Sequence, residues 1–102
     1  MEELNIITPE ELQKKIEAGE QLELVDVRED EEVATGMIPG AKHIKMGEIP
    51  MNLDYFDQDK EYILICRSSR RSENVGYFLH DHGVKVRNMV GGMLEWKGEL
   101  VF

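Results

Sequence analysis

Apolar residues come along this chain in short bursts, and the spacing inside each burst separates strands from helices. Residues 22–27 and 61–65 are near-continuous apolar runs, the pattern of a strand covered on both faces. Residues 85–89 read as a further strand and 43–45 as a brief one. Helical spacing shows elsewhere. Leu12 and Ile16 lie one turn apart behind Thr8-Pro9-Glu10-Glu11, where Thr8 suits the cap, Pro9 the first helical position and Glu11 the returning carboxylate; Gly19 ends the run. Val75, Phe78 and Leu79 repeat the helical period over residues 70–82, closed by Gly83. Residues 29–35 carry acids at their start and predict one or two solvated helical turns stopped by Gly36, followed by a turn at Ile38-Pro39-Gly40-Ala41. Pro50 interrupts a weak helical pattern over 47–56, residues 57–60 form a solvated loop, and Gly91-Gly92 opens a last helix through Met93, Leu94 and Trp96.

Strands that alternate with helices of this length predict an α/β fold, a mostly parallel sheet flanked by helices on both faces. In such sheets ligands gather beyond the carboxyl ends of the strands. Cys66, Asp26 and Arg28 stand at such ends.

Length and charge narrow the classes. A chain of 102 residues suits one domain over 1–102, with no internal repeat or linker. A net charge of -9 argues against nucleic acid as a partner, because non-specific affinity comes from neutralising phosphates with Lys and Arg. No apolar stretch approaches a membrane span, and the acidic start at Glu2 and Glu3 is unlike a secretory signal. With one cysteine and no internal disulfide to form, a cytoplasmic location is expected.

That cysteine stands out by its neighbours. Free cysteine at the end of an apolar strand is ordinarily an inert, buried small hydrophobe. Here Cys66 is followed by Arg67-Ser68-Ser69-Arg70-Arg71, so three of the 12 Lys and Arg residues lie within five positions and oppose the global charge. A thiol beside cations and a helix N-terminus gains thiolate character. Successive loop amides converging on the sulfur would add an anion nest. This chemistry expects the sulfur to be open to water and the preferred ligand to be a small anion. No metal or cofactor is expected: His80 and His82 lie on different helical faces, and His43 has no partner visible in the sequence.

Three stretches in order resemble the rhodanese, or thiosulfate sulfurtransferase, homology domain of the bacterial single-domain type. Asp26-Val27-Arg28 with Gly36-Met37-Ile38-Pro39-Gly40-Ala41 is similar to the first signature, Cys66-Arg67-Ser68-Ser69-Arg70-Arg71-Ser72 to the active loop, and Val90-Gly91-Gly92-Met93 with Trp96 to the closing motif. The resemblance implies a three-layer sandwich and a sulfurtransferase. Cys66 would be the nucleophile and persulfide carrier, taking sulfur from thiosulfate or a persulfide donor. Arg67, Ser68, Ser69, Arg70 and Arg71 would form the donor cradle, and Asp26 and Arg28 would support it. The partners implied are a small anionic sulfur donor and an external acceptor, namely cyanide, a thiol or a sulfur-relay protein.

Two positions depart from the pattern. Met37 stands where histidine is usual, which predicts a packing change. Ser69 replaces a loop glycine, which predicts strain if that residue needs a positive φ. Two rivals remain open: a binding module that keeps the loop without chemistry, and a phosphatase or arsenate reductase of the same fold. The latter needs a longer loop than Arg71 allows, since Ser72 stands at the wider spacing. Trp96 is read as core, or else as a wall of the site mouth.

Overall fold

The computed structural model describes residues 4–102. Its element order is β1 (Asn5–Ile7), α1 (Pro9–Glu17), β2 (Glu23–Asp26), α2 (Asp30–Val33), β3 (Lys42–His43), a 3-10 segment (Met46–Tyr55), β4 (Glu61–Ile65), α3 (Arg70–Asp81), β5 (Lys85–Met89) and a 3-10 turn (Gly92–Glu95). The strands form one sheet in the order β1-β5-β4-β2-β3, and every named pairing is parallel. Parallel neighbours need crossovers, so helices cover both faces.

The alternation of side chains along each strand divides the core into two layers. Tyr62, Leu64 and Cys66 of the β4 region join Val25, Val27, Val75, Leu79 and Ile49 beneath α3 and the Met46–Tyr55 segment. Ile63 and Ile65 face the other way, joining Leu24, Ile7, Met89 and Leu12 of α1. The result is the three-layer α/β sandwich expected.

Local signals placed α1 well. Thr8 Oγ1 accepts the Glu11 amide at 3.1 Å while the Glu11 carboxylate accepts the Thr8 amide at 2.9 Å. The corrections fall where signals are short or non-local. β1 was not expected: it has three residues, Ile6 is 58 % exposed, and its pairing partner β5 lies some eighty positions away. The stretch containing Pro50 is a 3-10 run broken at Asn52, and the closing helix is a single 3-10 turn. Proline and paired glycines disfavour a continuous α-helix at both places. The brief strand expected over 43–45 lies at Lys42–His43, starting one residue earlier and ending two residues earlier. Among the described residues, no helix is long and apolar enough to cross a membrane.

Candidate active site

The carboxyl ends of β2, β4 and β5 stand side by side in the middle of the sheet. Cys66 follows the last residue of β4 and turns toward the α3 face. The thiol residue is fully buried, at 0 % exposure, which corrects the expectation of a cup open to water. The reason is local. Ser69, the N-cap of α3, has φ 81° and ψ -14°, and this left-handed step folds the loop back over the strand end. The Ser69 N–H then donates to Cys66 Sγ at 2.9 Å, and Ser72 Oγ lies 3.2 Å from the same sulfur. Among the described residues, Ser69 supplies the one backbone amide bonded to the sulfur, where a ring of amides was expected.

The loop is held from behind by the 3-10 turn Gly92–Glu95. Met93 N–H donates to the Cys66 carbonyl at 2.8 Å and Leu94 N–H to the Arg67 carbonyl at 3.0 Å. Drawing two successive carbonyls backward fixes the planes of the peptides that lead into the Ser69 turn. The approach is so close that a Cβ on Gly92, whose φ is 60°, would stand 2.6 Å from the Cys66 carbonyl oxygen. Gly91-Gly92 therefore serves close approach as well as a turn.

Ser69 is the one non-glycine residue with positive φ among the described residues, so the strain anticipated at this position is present. A left-handed conformation costs an ordinary residue about 1–2 kcal/mol, part of which a glycine returns through its greater freedom when unfolded. Ser69→Gly is expected to raise stability by about 0.5–1 kcal/mol, read as a higher urea midpoint at unchanged slope. A lower midpoint would show that the serine side chain contributes more than its backbone loses.

The three arginines divide. Arg67 and Arg70 are exposed, and among the described residues their guanidinium groups have no hydrogen-bond or ion-pair partner. Arg71 is bound to the Glu32 carboxylate of α2 through both terminal nitrogens, at 2.5 and 2.6 Å. Glu32 is thus a site residue that the sequence reading placed in a solvated turn; the 39 positions separating it from Arg71 hid the pairing. The Arg71 hydrogen bonds, helped by the Glu29 amide, hold the Glu32 carboxyl down at about 2, against an ordinary 4.5. A depressed carboxyl pKa contributes stability that is complete above the unfolded value and lost as pH falls through the folded one. Glu32→Gln is therefore expected to melt below wild type at neutral pH, with the gap closing from about pH 4.5 toward pH 2. A gap that stays constant in melts across that range would dismiss the pair as a stabilising contact.

Asp26 and Arg28 are the buried support of this arrangement. Arg28 Nη2 donates to Asp26 Oδ2 at 2.8 Å and to the Gly36 carbonyl at 2.8 Å, while Nη1 reaches the Glu32 carbonyl at 3.2 Å. The pair fixes the backbone from which Glu32 extends to Arg71. Its own charges are mutually compensated, and a buried pair of this kind is kept only when its remaining hydrogen-bonding groups are also met.

The remaining candidates lie apart from the sulfur. Met37 exchanges two backbone hydrogen bonds with Val101 at 2.8 Å, an antiparallel bridge that uses its main chain alone. Trp96 packs on the α1 layer, opposite the layer holding Cys66, with its indole N–H donating to the Glu99 carbonyl. His82 Nδ1 lies 2.8 Å from the Phe78 carbonyl at the end of α3. Among the described residues, no group of three His, Cys, Asp or Glu side chains is placed to hold a metal ion. A groove of about 730 Å³ opens at the amino ends of the strands, away from Cys66, and its walls carry the self-neutralising pairs Lys15–Glu20 and Lys60–Glu23.

Comparison with known proteins adds an independent line. Residues 8–99 match the model of the rhodanese-like domain. The chain is 55 % identical over 97 residues to the Bacillus subtilis protein YtwF, whose name assigns it provisionally to the sulfurtransferases; the match covers 95 % of this chain and 94 % of that protein. It is 27 % identical over 92 residues to the thiosulfate sulfurtransferase GlpE of Pseudomonas aeruginosa, covering 89 % of this chain and 82 % of that one. Among solved structures, a rhodanese-like domain protein from Staphylococcus aureus superposes with a TM-score of 0.92 at 39 % identity, over 97 % of this chain and 98 % of that chain. A Staphylococcus saprophyticus protein gives 0.93 at 41 %, over 97 % and 100 %.

Proposed function

This chain belongs to the rhodanese-like domain family, and from that premise we propose that it is a sulfurtransferase carrying sulfane sulfur on Cys66. The Cys66 thiolate attacks the outer sulfur of thiosulfate; the donor S–S bond breaks, sulfite leaves with the bonding pair, and a Cys66 persulfide remains. An external thiol, cyanide or a sulfur-relay protein then takes the outer sulfur and regenerates the thiolate. The chain has no second cysteine to resolve the persulfide itself.

The observation that carries this reading is the Ser69 N–H donating to Sγ at 2.9 Å from a loop whose carbonyls are tied back by Met93 and Leu94. Donors aimed at a site where negative charge sits are worth most when they are held before the reaction starts. Arg67 and Arg70, both exposed and unpaired among the described residues, supply attraction for an anionic donor. The enclosed sulfur adds a requirement: a path to it must open before the donor can enter.

Burial of Cys66 favours a second reading, a binding module that docks a partner without chemistry. Intact-mass measurement after incubation with thiosulfate separates the two. The proposed function expects the folded protein to gain one sulfur atom, released by cyanide. A folded protein that never gains it is the binding module.

A further inference from the structure

Asn88 lies at the carboxyl end of β5, 3 % exposed, in a strand that reads from the sequence as ordinary sheet. Its side chain reaches the Cys66 sulfur through one intermediate group. Asn88 Oδ1 accepts the Ser72 hydroxyl in a short contact, and its Nδ2 lies 3.5 Å from the Ser69 carbonyl. Ser72 Oγ in turn stands 3.2 Å from Cys66 Sγ and 3.1 Å from the Ser69 carbonyl. Asn88 is therefore bonded to the Ser72 hydroxyl, which itself touches the sulfur, and to the carbonyl of Ser69, the residue whose N–H donates to it.

The hydroxyl of Ser72 has one proton and three acceptors around it: Asn88 Oδ1, the Ser69 carbonyl and the sulfur. The Ser69 carbonyl already accepts the Glu73 amide at 2.9 Å. While the Ser72 proton points to Asn88, its lone pairs face Sγ and suit a thiol that donates S–H. An anionic sulfur needs the reverse, with the Ser72 proton turned to it. That turn leaves two oxygens facing each other unless the Asn88 amide rotates and presents N–H to Ser72 Oγ. A primary amide has both a donor and an acceptor, so it can support either hydroxyl orientation. A carboxylate or an alkyl group cannot.

Resting on the reading of Cys66 as the sulfur-carrying nucleophile, we propose that Asn88 is a positioning residue, which, from its place beside Ser72 and Ser69, orients the Ser72 hydroxyl toward the Cys66 sulfur. Among the described residues Asn88 makes no hydrogen bond to the sulfur, and Arg67 and Arg70, which attract the donor, lie outside its network. Its loss should therefore slow the chemical step and leave donor capture alone.

The test is a double-mutant cycle with Asn88→Ala, Ser72→Ala and both together. Persulfide formation from thiosulfate is followed by quenched intact-mass measurement across donor concentrations. The maximum rate should fall about tenfold in each single variant, the loss expected for one hydrogen bond to a charged group, with half-saturation changed less than about twofold. The double variant should fall by about tenfold as well, because both changes break one relay. Losses that multiply to about a hundredfold, a wild-type rate in Asn88→Ala, or an effect confined to half-saturation would overturn the proposal.

Asn88→Asp covers the case in which alanine unfolds the protein: it keeps the shape and the acceptor but cannot donate when ionised. It should lose at least as much rate, and retention of the wild-type rate would reduce Asn88 to packing. Alkylation of Cys66 by iodoacetamide in the folded proteins gives a readout independent of sulfur transfer. Asn88→Ala and Ser72→Ala should change that rate by the same factor, with no further change in the double variant. Independent effects there overturn the relay, whereas a wild-type protein that alkylates normally yet takes no sulfur overturns the proposed function alone.

Discussion

Replacing Cys66 with serine will remove sulfur uptake altogether while leaving a folded protein. Serine is nearly isosteric, and its hydroxyl can take the places of the sulfur opposite the Ser69 N–H at 2.9 Å and Ser72 Oγ at 3.2 Å. Stability should therefore change by no more than about 1 kcal/mol, small against the large effects reserved for cavities and unpaired buried groups. Chemistry has no such tolerance. A serine hydroxyl here would meet the Ser69 N–H and the Ser72 hydroxyl, neither of them a general base, and persulfide formation requires a nucleophilic sulfur anion. After incubation with thiosulfate, wild type should gain one sulfur atom and Cys66→Ser none, in proteins whose melting curves overlap. Equal gain in both proteins would place the reaction on some other residue and remove the basis for the proposed activity.

The second large effect is expected from a residue that never touches the sulfur. Gly92→Ala directs a methyl group at the Cys66 and Arg67 carbonyls, with the former 2.6 Å away, and adds the penalty of an L side chain at φ 60°. The backbone must move, and with it go the Met93 and Leu94 donors that hold the loop. The positive φ and two weakened hydrogen bonds together amount to roughly 3 kcal/mol, a fall in melting temperature on the order of 10–20 °C for a domain of this size. Persulfide formation should drop by at least about a hundredfold, since displacement of an ångström at a reacting centre has effects of that order. Gly40→Ala is the control: its φ is 85°, but a Cβ there meets nothing within 4 Å. It should lose only the backbone penalty of about 1 kcal/mol and retain full sulfur uptake. Equal losses in both variants would mean that conformation, and not close approach, makes Gly92 necessary.

Glu32 and Asn88 show how a site can extend beyond its motif. Glu32 neutralises one of the three arginines that the loop sequence displays together, so the guanidinium charge left uncompensated in the loop is that of Arg67 and Arg70. Asp26 and Arg28 act one step further back, by fixing the Glu32 backbone. The expected electropositive loop is thus edged on one side by the acidic α2, an arrangement invisible in the run Arg67 to Arg71 read alone.

By itself the sequence determined what depends on neighbours a few positions apart. The α1 cap at Thr8 and Glu11, the helical period of Val75 and Leu79, the apolar run into Cys66 and the glycine demand at Ser69 all arise from contacts within one turn or one loop. The order of the three signatures was also enough to identify the fold. Only the tertiary structure decided what depends on sheet order: the pairing of β1 with β5, Arg71 with Glu32, Asn88 with Ser72, and the 3-10 turn against the Cys66 carbonyl. Enclosure of the sulfur comes instead from the Ser69 turn three residues on, whose effect on solvent access shows only once the loop is folded over the strand end. Periodicity records which face of an element is buried, but not which partner buries it.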